Sequence, residues 1–396
     1  MIYNDLSYFI LFLLPAALVF HRASGVVREW AIAFAGASFF IYYSYQYFGG
    51  WIPAACLGLF ALEMVTSRFY RARSWWCIWG IAQAIIILFV FKYTNFFISV
   101  RNTLAGPFGE SPWSPVKGLF LPLGISFFTF EFIHYAADIH TGKLQPARAS
   151  RYAAFILFFP TMVAGPIKRY QDFGRKIETA RFDPDLMARG VTRILVGLAK
   201  KHAVADTFSV FSSKLNTEAL FSAPPWQIAA WIFCYGGKIY FDFSGYSDVA
   251  IGSSYIFGIE VPENFDYPYF RTSITSFWRH WHISLYRWIV DYIFIPLGGS
   301  RGTERRTAVN TLIAFAVSGL WHGAGLNFLL WGLWHGVLLV GHRFWRKVRP
   351  AELEGNTGWT LFSWALTFVL VNLGWAFFCM DSSRAFFALG RITGLK

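Results

Sequence analysis

Imidazole is the side chain best matched to proton transfer near neutral pH, and this sequence carries two imidazoles in an unusual setting. His322 and His335 lie within residues 307–341, a stretch with no Asp, Glu, Lys or Arg, in Leu320-Trp321-His322-Gly323 and Trp331-Gly-Leu-Trp334-His335-Gly336. An ionisable group inside such a run is costly in a bilayer and is therefore a candidate for function. Taking the proton of an acceptor hydroxyl as it attacks a thioester is chemistry suited to His322. Tryptophan N–H groups, with Trp321 adjacent, and the amides of Asn327 and Asn264 are available to steady the oxyanion.

The position of these groups follows from the charges around them. Arg306 and Arg343 bound the run, so both ends belong on one side of the membrane and the chain must turn within it, most simply at Gly323-Ala-Gly325. His322, sixteen residues beyond Arg306, then lies about 24 Å into a core about 30 Å thick. His335, eight residues before Arg343, lies only about 12 Å deep, so the two histidines are not interchangeable. The glycine after each one permits close approach of another chain or a ligand.

A second group precedes this run: Ser276-Phe-Trp278-Arg279-His280-Trp281-His282-Ile-Ser284. Ser276 fits a helix N-cap. Trp278 and His282, four residues apart, are expected on one helical face, leaving Arg279 to meet a carboxylate. For His282 two readings stand, a cavity-facing group and a histidine bonded to a neighbouring helix; for His280 the second is preferred. Upstream, Lys238-Ile-Tyr-Phe-Asp242-Phe-Ser244-Gly-Tyr-Ser247-Asp248 places carboxylates and hydroxyls within about three helical turns. Asp242 there is either the partner of Lys238 or, with Ser244, part of a substrate lining. The histidines are too scattered for a zinc site, no HExxH occurs, and no GxSxG marks a serine hydrolase. No metal or bound cofactor is expected.

What must hold these groups is a membrane fold. The chain has 396 residues, 56% hydrophobic and only 14% charged, where soluble domains run nearer a quarter charged. Uncharged runs at 6–20, 31–62, 74–91, 307–341 and 355–380 are candidate spans. No basic region precedes the first, so it is read as a retained helix and not a signal peptide. The net charge of +13 comes from short basic clusters between apolar runs, including Arg68, Arg71 and Arg73, Lys168 and Arg169, and Arg343 to Arg349. That is the pattern of cytoplasmic loops, and no nucleic-acid partner is expected. Cys56, Cys77, Cys234 and Cys379 show no metal or redox spacing.

Simple alternation of sides fails at residues 152–167, where an apolar run broken by Pro160 and Gly165-Pro166 has basic residues at both ends. A broken segment with both ends on one side is a re-entrant element, tolerated only where protein or a water-filled cavity covers the backbone. Separate helices are expected at 219–237 and 243–259. The chain is therefore expected to be an all-α polytopic membrane protein of about ten to twelve membrane segments. Its N-terminal helices lie at 1–138, a motif-bearing core at 152–345 and a C-terminal helix at 355–396, without a soluble domain.

Six ordered motifs then carry a resemblance. Phe159-Pro-Thr-Met-Val-Ala-Gly-Pro-Ile167, Tyr240-Phe-Asp-Phe-Ser-Gly-Tyr-Ser-Asp248, Pro262-Glu-Asn-Phe265, Phe277-Trp-Arg-His-Trp-His-Ile-Ser-Leu285, Asp291-Tyr-Ile-Phe-Ile-Pro-Leu-Gly-Gly299 and Leu320-Trp-His-Gly323 together resemble the membrane-bound O-acyltransferase family. The likeness is greatest to its bacterial subgroup that acetylates alginate and other envelope polymers. The resemblance implies a helical bundle around a central tunnel in the bacterial cytoplasmic membrane. It also implies His322 as catalytic histidine, His282 as a second functional histidine, and a tunnel lined by groups such as Asp242, Ser244, Asn264, Trp278, Arg279, Trp281, Trp321, Asn327 and His335. The implied co-substrate is acetyl-CoA or another acyl thioester from the cytoplasm. The implied partners are an extracytoplasmic acyltransferase, a cell-envelope polymer acceptor and membrane lipid. Alginate-type members usually continue well beyond Lys396, so the chain is either truncated or closer in size to the D-alanyl-transferring members, while the 291–299 motif resembles the acetylating type. From another class, a membrane transporter would also place charges in broken helices, and a non-catalytic scaffold would need neither histidine.

Overall fold

The computed structural model describes residues 5–50, 52–108, 111–117, 119, 121–353 and 355–394. Gly109, Glu110, Gly118 and the chain end at Lys396 lie outside the described residues. Among those described, extended pairing is limited to one antiparallel bridge, Phe265 with Trp281, and the rest of the regular structure is helical. The expected all-α polytopic membrane architecture is present, with Trp75–Ala105 and Thr357–Cys379 each long and apolar enough to cross a bilayer.

Packing divides the chain into two compact units, Met1–Val196 with Tyr246–Pro262, and Gly197–Gly245 with Glu263–Lys396. In the first, the helices Gly25–Phe48 and Ala149–Ile156 pack together around rings such as Tyr8, Phe39 and Phe159, whose centroids lie 5.5–6.0 Å apart. Its buried carboxylates, Lys168 and His134 are joined to partners, as charged or strongly polar groups withdrawn from water must be. Glu29 accepts hydrogen bonds from Arg148 and Arg151 at 2.7–2.8 Å, and Glu63 accepts from Tyr70 and Gln83. Lys168 pairs with Glu131, while His134 bonds the Phe130 carbonyl through Nδ1 and accepts the Tyr170 backbone N–H at Nε2.

The segment expected to re-enter is broken as its prolines require. Helix stops at Ile156, a single 3₁₀ turn covers Phe159–Thr161, and helix resumes only at Tyr170. No residue from 152 to 168 is exposed, so protein covers this irregular backbone.

In the second unit lies the helical hairpin Glu304–His322 and Leu326–Val348, turning at the expected residues 323–325. Its helices touch: a Cβ on Gly319 would lie 2.2 Å from the Phe328 carbonyl oxygen, and one on Gly332 would lie 2.2 Å from that of Phe315. Only glycine permits this approach, as at small-residue contacts between membrane helices generally. At the open end Glu304 binds Arg343 and Lys347, each at 2.7 Å, tying both helix ends to one side as the flanking arginines implied. Hydrogen bonds from Arg343 and then Lys347 hold the Glu304 carboxyl down at about 2.

Three local expectations are corrected. A single helix, Pro225–Ile256, replaces the two expected at 219–237 and 243–259, because the polar Lys238–Asp242 stretch lowers hydropathy without containing a helix breaker. Ser273, not Ser276, caps the helix Ile274–His280, its side chain accepting the Ser276 N–H. That helix ends before His282, so Trp278 and His282 do not share a helical face.

Candidate active site

His322 is the last residue of the first hairpin helix, half-buried beside the glycine turn. Rings surround it edge to face: Trp321 at 4.8 Å, Trp331 at 5.0 Å and Phe378 at 5.1 Å between centroids. Such packing limits ring rotation and gives a reacting nitrogen a fixed direction. Phe378, contributed by the helix Thr357–Cys379, carried no sequence signal. Trp331 did, since it lies four residues before His335 and so on the same helical face.

His282 is buried and stands on left-handed backbone, φ 43° and ψ 55°, between Trp281 and the helix Ile283–Ile289. A non-glycine residue reaches this region at a cost of order 1–3 kcal/mol, and persists there when its surroundings over-determine it. The surroundings here do so. The Asn264 carbonyl accepts the Ile283 N–H at 2.9 Å, its side chain accepts from Ser284 at 2.7 Å, and Asp266 N–H reaches the His280 carbonyl at 3.1 Å. Pro262-Glu-Asn-Phe-Asp266 is therefore a strap that fixes His282, and fully buried Asn264 is a positioning residue. The His282 ring meets Phe243 edge to face at 4.6 Å and Trp321 at 6.0 Å, so the Trp321 indole is flanked by both candidate histidines.

His335 is fully buried against Trp278 at 5.0 Å and Trp331 at 5.2 Å, above Gly374, whose Cβ would come within 2.9 Å of its Nε2. Neither ring nitrogen of His282 or His335, nor the indole nitrogen of Trp278 or Trp331, has a hydrogen-bond partner among the described residues. Buried polar atoms are rarely left in this state, and each case calls for an explanation.

A cavity of about 430 Å³ leads to this cluster. Trp278, His282 and Ser318 lie on its wall, Leu285, Ile289 and Phe315 make it apolar, and Arg279, Arg343, Arg346 and Lys347 surround the end beside Glu304. Arg279 is exposed there and forms no ion pair among the described residues, so the expected carboxylate partner is missing.

Other expected site residues are placed differently. Trp281 packs in the aromatic core against Phe265 at 5.1 Å and Trp375 at 5.0 Å. Asn327 donates to the Phe377 carbonyl at 3.2 Å. Asp242 pairs with Lys201 at 2.8 Å and not with Lys238, whose ammonium lies over the Tyr235 ring; Ser244 is buried. Gly323 and Gly336 meet this chain's own Phe328, Leu312 and Phe315, so the close approach that they permit is internal. Among the described residues no three His, Cys, Asp or Glu side chains gather in a way that could hold a metal ion.

Comparison with known proteins identifies the family. A model of the membrane-bound O-acyltransferase family matches residues 74–380. The probable alginate O-acetylase AlgI of Pseudomonas aeruginosa is 37% identical over 315 residues, 78% of this chain and 58% of its own. The peptidoglycan O-acetyltransferase of Helicobacter pylori is 31% identical over 381 residues, 88% of this chain and 70% of its own. The teichoic acid D-alanyltransferase of Bacillus subtilis is 31% identical over 280 residues, 67% of this chain and 71% of its own. This chain thus spans under two thirds of the length of the Pseudomonas relative. A hairpin histidine enclosed by aromatic rings, a second histidine on a strained turn and the family match over most of the chain lead to one conclusion: the chain belongs to the membrane-bound O-acyltransferase family.

Proposed function

We propose that this chain is a multi-pass O-acyltransferase of the bacterial cytoplasmic membrane that moves an acyl group, acetyl by preference, from a cytoplasmic thioester toward a cell-envelope polysaccharide or peptidoglycan, by way of an extracytoplasmic partner transferase. The observation that carries this reading is the cavity with basic residues at one end and His282 on its wall, His282 and His322 flanking one indole. Arg343 and Lys347, two cations beside the single Glu304 carboxylate, leave the mouth net positive, which suits the phosphates of a coenzyme A or carrier-bound donor. The apolar wall suits the pantetheine arm and excludes water that would hydrolyse the thioester.

His322 takes the proton from the acceptor hydroxyl as its oxygen attacks the thioester carbonyl carbon. The resulting oxyanion is stabilised by an indole N–H of the cluster. The carbon–sulfur bond then breaks, and the proton passes from the imidazolium to the departing thiolate. His282, held by the Asn264 strap, orients the donor.

A reconstituted membrane assay tests this: labelled acetyl-CoA on the basic side, the partner transferase and polymer on the other. Transfer by wild-type protein and none by a folded His322→Ala variant is the expected result. Full transfer by that variant, or solute uptake by the vesicles without thioester consumption, would overturn it. D-alanyl transfer to a teichoic acid-like polymer is the second reading. It is supported by the likeness to the Bacillus relative, 31% identical over 280 residues; the 291–299 motif favours acetyl. Feeding both donors to the same vesicles separates the two.

A further inference from the structure

Beside the donor cavity, a larger groove of about 900 Å³ lies along the second hairpin helix and the helix Thr357–Cys379, at the upper end of the usual volume for a small-ligand site. Its long wall is apolar, made by Val337, Leu338, Phe362, Leu366 and Leu370, and much of it is uncovered by protein: Val337 is 59% exposed and Phe362 55%. At one end the character changes. Arg279, Arg346 and Arg349 line it there with the hydroxyls of Thr272 and Ser276, and no Asp or Glu is among the described residues lining the groove. Trp345 and Trp359 stand together at that end, 5.6 Å apart, as aromatic side chains do at a membrane interface.

The spacing on the hairpin helix separates two sets of cations. Arg343 and Lys347, four residues apart, face Glu304 and are ion-paired with it. His342, Trp345, Arg346 and Arg349 are spaced at three and four residues along the groove, and Arg346, like Arg279, stands on the rim shared with the donor cavity. Arg346 and, from the facing helix, Arg279 form no ion pair among the described residues. Two uncompensated guanidinium groups and a third arginine at the head of an apolar furrow are complementary to one chemistry, a phosphate monoanion attached to hydrocarbon. A soluble phosphate would leave the apolar wall unused, and a neutral lipid would leave the arginines uncompensated.

We propose that this groove holds an anionic phospholipid, its phosphate among Arg279, Arg346 and Arg349 and an acyl chain along the Leu338, Leu366 and Leu370 wall. Thr275 and His342 share a 2.9 Å hydrogen bond and border both this groove and the donor cavity, so the bound lipid completes the wall against which the donor lies. The arginines lie on the basic side of the hairpin, where anionic lipids attract clustered cations.

Native mass spectrometry of the full chain in neutral detergent, titrated with phosphatidylglycerol or phosphatidylcholine of identical chains, tests this directly. Wild-type protein is expected to retain phosphatidylglycerol at least five-fold better. Arg346→Gln with Arg349→Gln reduces retention to the phosphatidylcholine level, and Leu366→Trp, which fills the furrow, weakens both lipids. Arg301→Gln with Arg305→Gln, exposed basic residues outside the groove, keeps the wild-type preference. Circular dichroism confirms folding of each variant, and the single Arg349→Gln change, expected to give a partial loss, serves where the double variant fails to fold. Equal retention of the two lipids by wild-type protein overturns the proposal, as does an unchanged preference in the folded groove variants. Displacement of bound lipid by glycerol phosphate overturns it too, since that identifies a site for a soluble anion.

Discussion

His134 and His335 are both fully buried histidines on membrane-protein helices, and they are treated in opposite ways. His134, in the first unit, uses both ring nitrogens, one toward the Phe130 carbonyl and one for the Tyr170 N–H. His335, in the second, uses neither among the described residues, and the same holds for His282. The first unit joins buried carboxylates into closed pairs, Glu131 with Lys168 and Glu29 with Arg148 and Arg151, as a scaffold requires. In the second unit the rings of Trp278, His282, Trp331 and His335 are held by packing and backbone while their nitrogens have no hydrogen-bond partner among the described residues, which is what a site that meets its partners only during reaction requires.

The largest effect expected from breaking this contrast is at His322. Replacing it with Gln should lower acyl transfer per folded protein by about 10²–10⁴-fold, the usual range for a general base, measured with labelled thioester in vesicles. Lys168→Met should instead act on stability, by about 3–5 kcal/mol, because Glu131 is left buried without its cation; denaturant titration in detergent reads this. His134→Phe should cost about 1–3 kcal/mol, the penalty for stranding the Tyr170 N–H, whereas His335→Phe strands nothing and should leave the melting temperature unchanged or higher. If the two phenylalanine variants melt alike, the contrast is wrong. The smallest effect is at Glu304. Its folded carboxyl sits near 2 against an ordinary 4.5, so its stabilisation is full above pH 4.5 and fades as pH falls toward 2. Glu304→Gln should flatten that part of the pH–melting curve.

Much of this was legible in local signals. The hairpin and its turn came from Arg306, Arg343 and two glycines, all within one stretch of chain. The break at Pro160 and Gly165-Pro166 was equally plain, since proline acts on its own backbone. The end of the Ile274–His280 helix before His282 was not legible, because no proline or glycine marks it. The cause is the Asn264 strap, and a strap is a long-range fact. For the same reason Lys201 was missed as the partner of Asp242, and Phe378 as a wall of the His322 pocket. Residue type announced which groups were costly in a membrane, but only the fold decided which of them would be neutralised.

The glycine seam of the hairpin has an electrical consequence. A bacterial membrane is a charged capacitor, and one elementary charge crossing 100 mV is worth about 2.3 kcal/mol. A histidine that cycles protons at the tip of a hairpin is a potential short circuit if water can file along the helices behind it. Where Gly319 and Gly332 bring the two backbones into contact, no water fits between the helices. On the proposed mechanism the seam would act as a gasket behind His322, at the place where Gly319 and Gly332 close the two helices together.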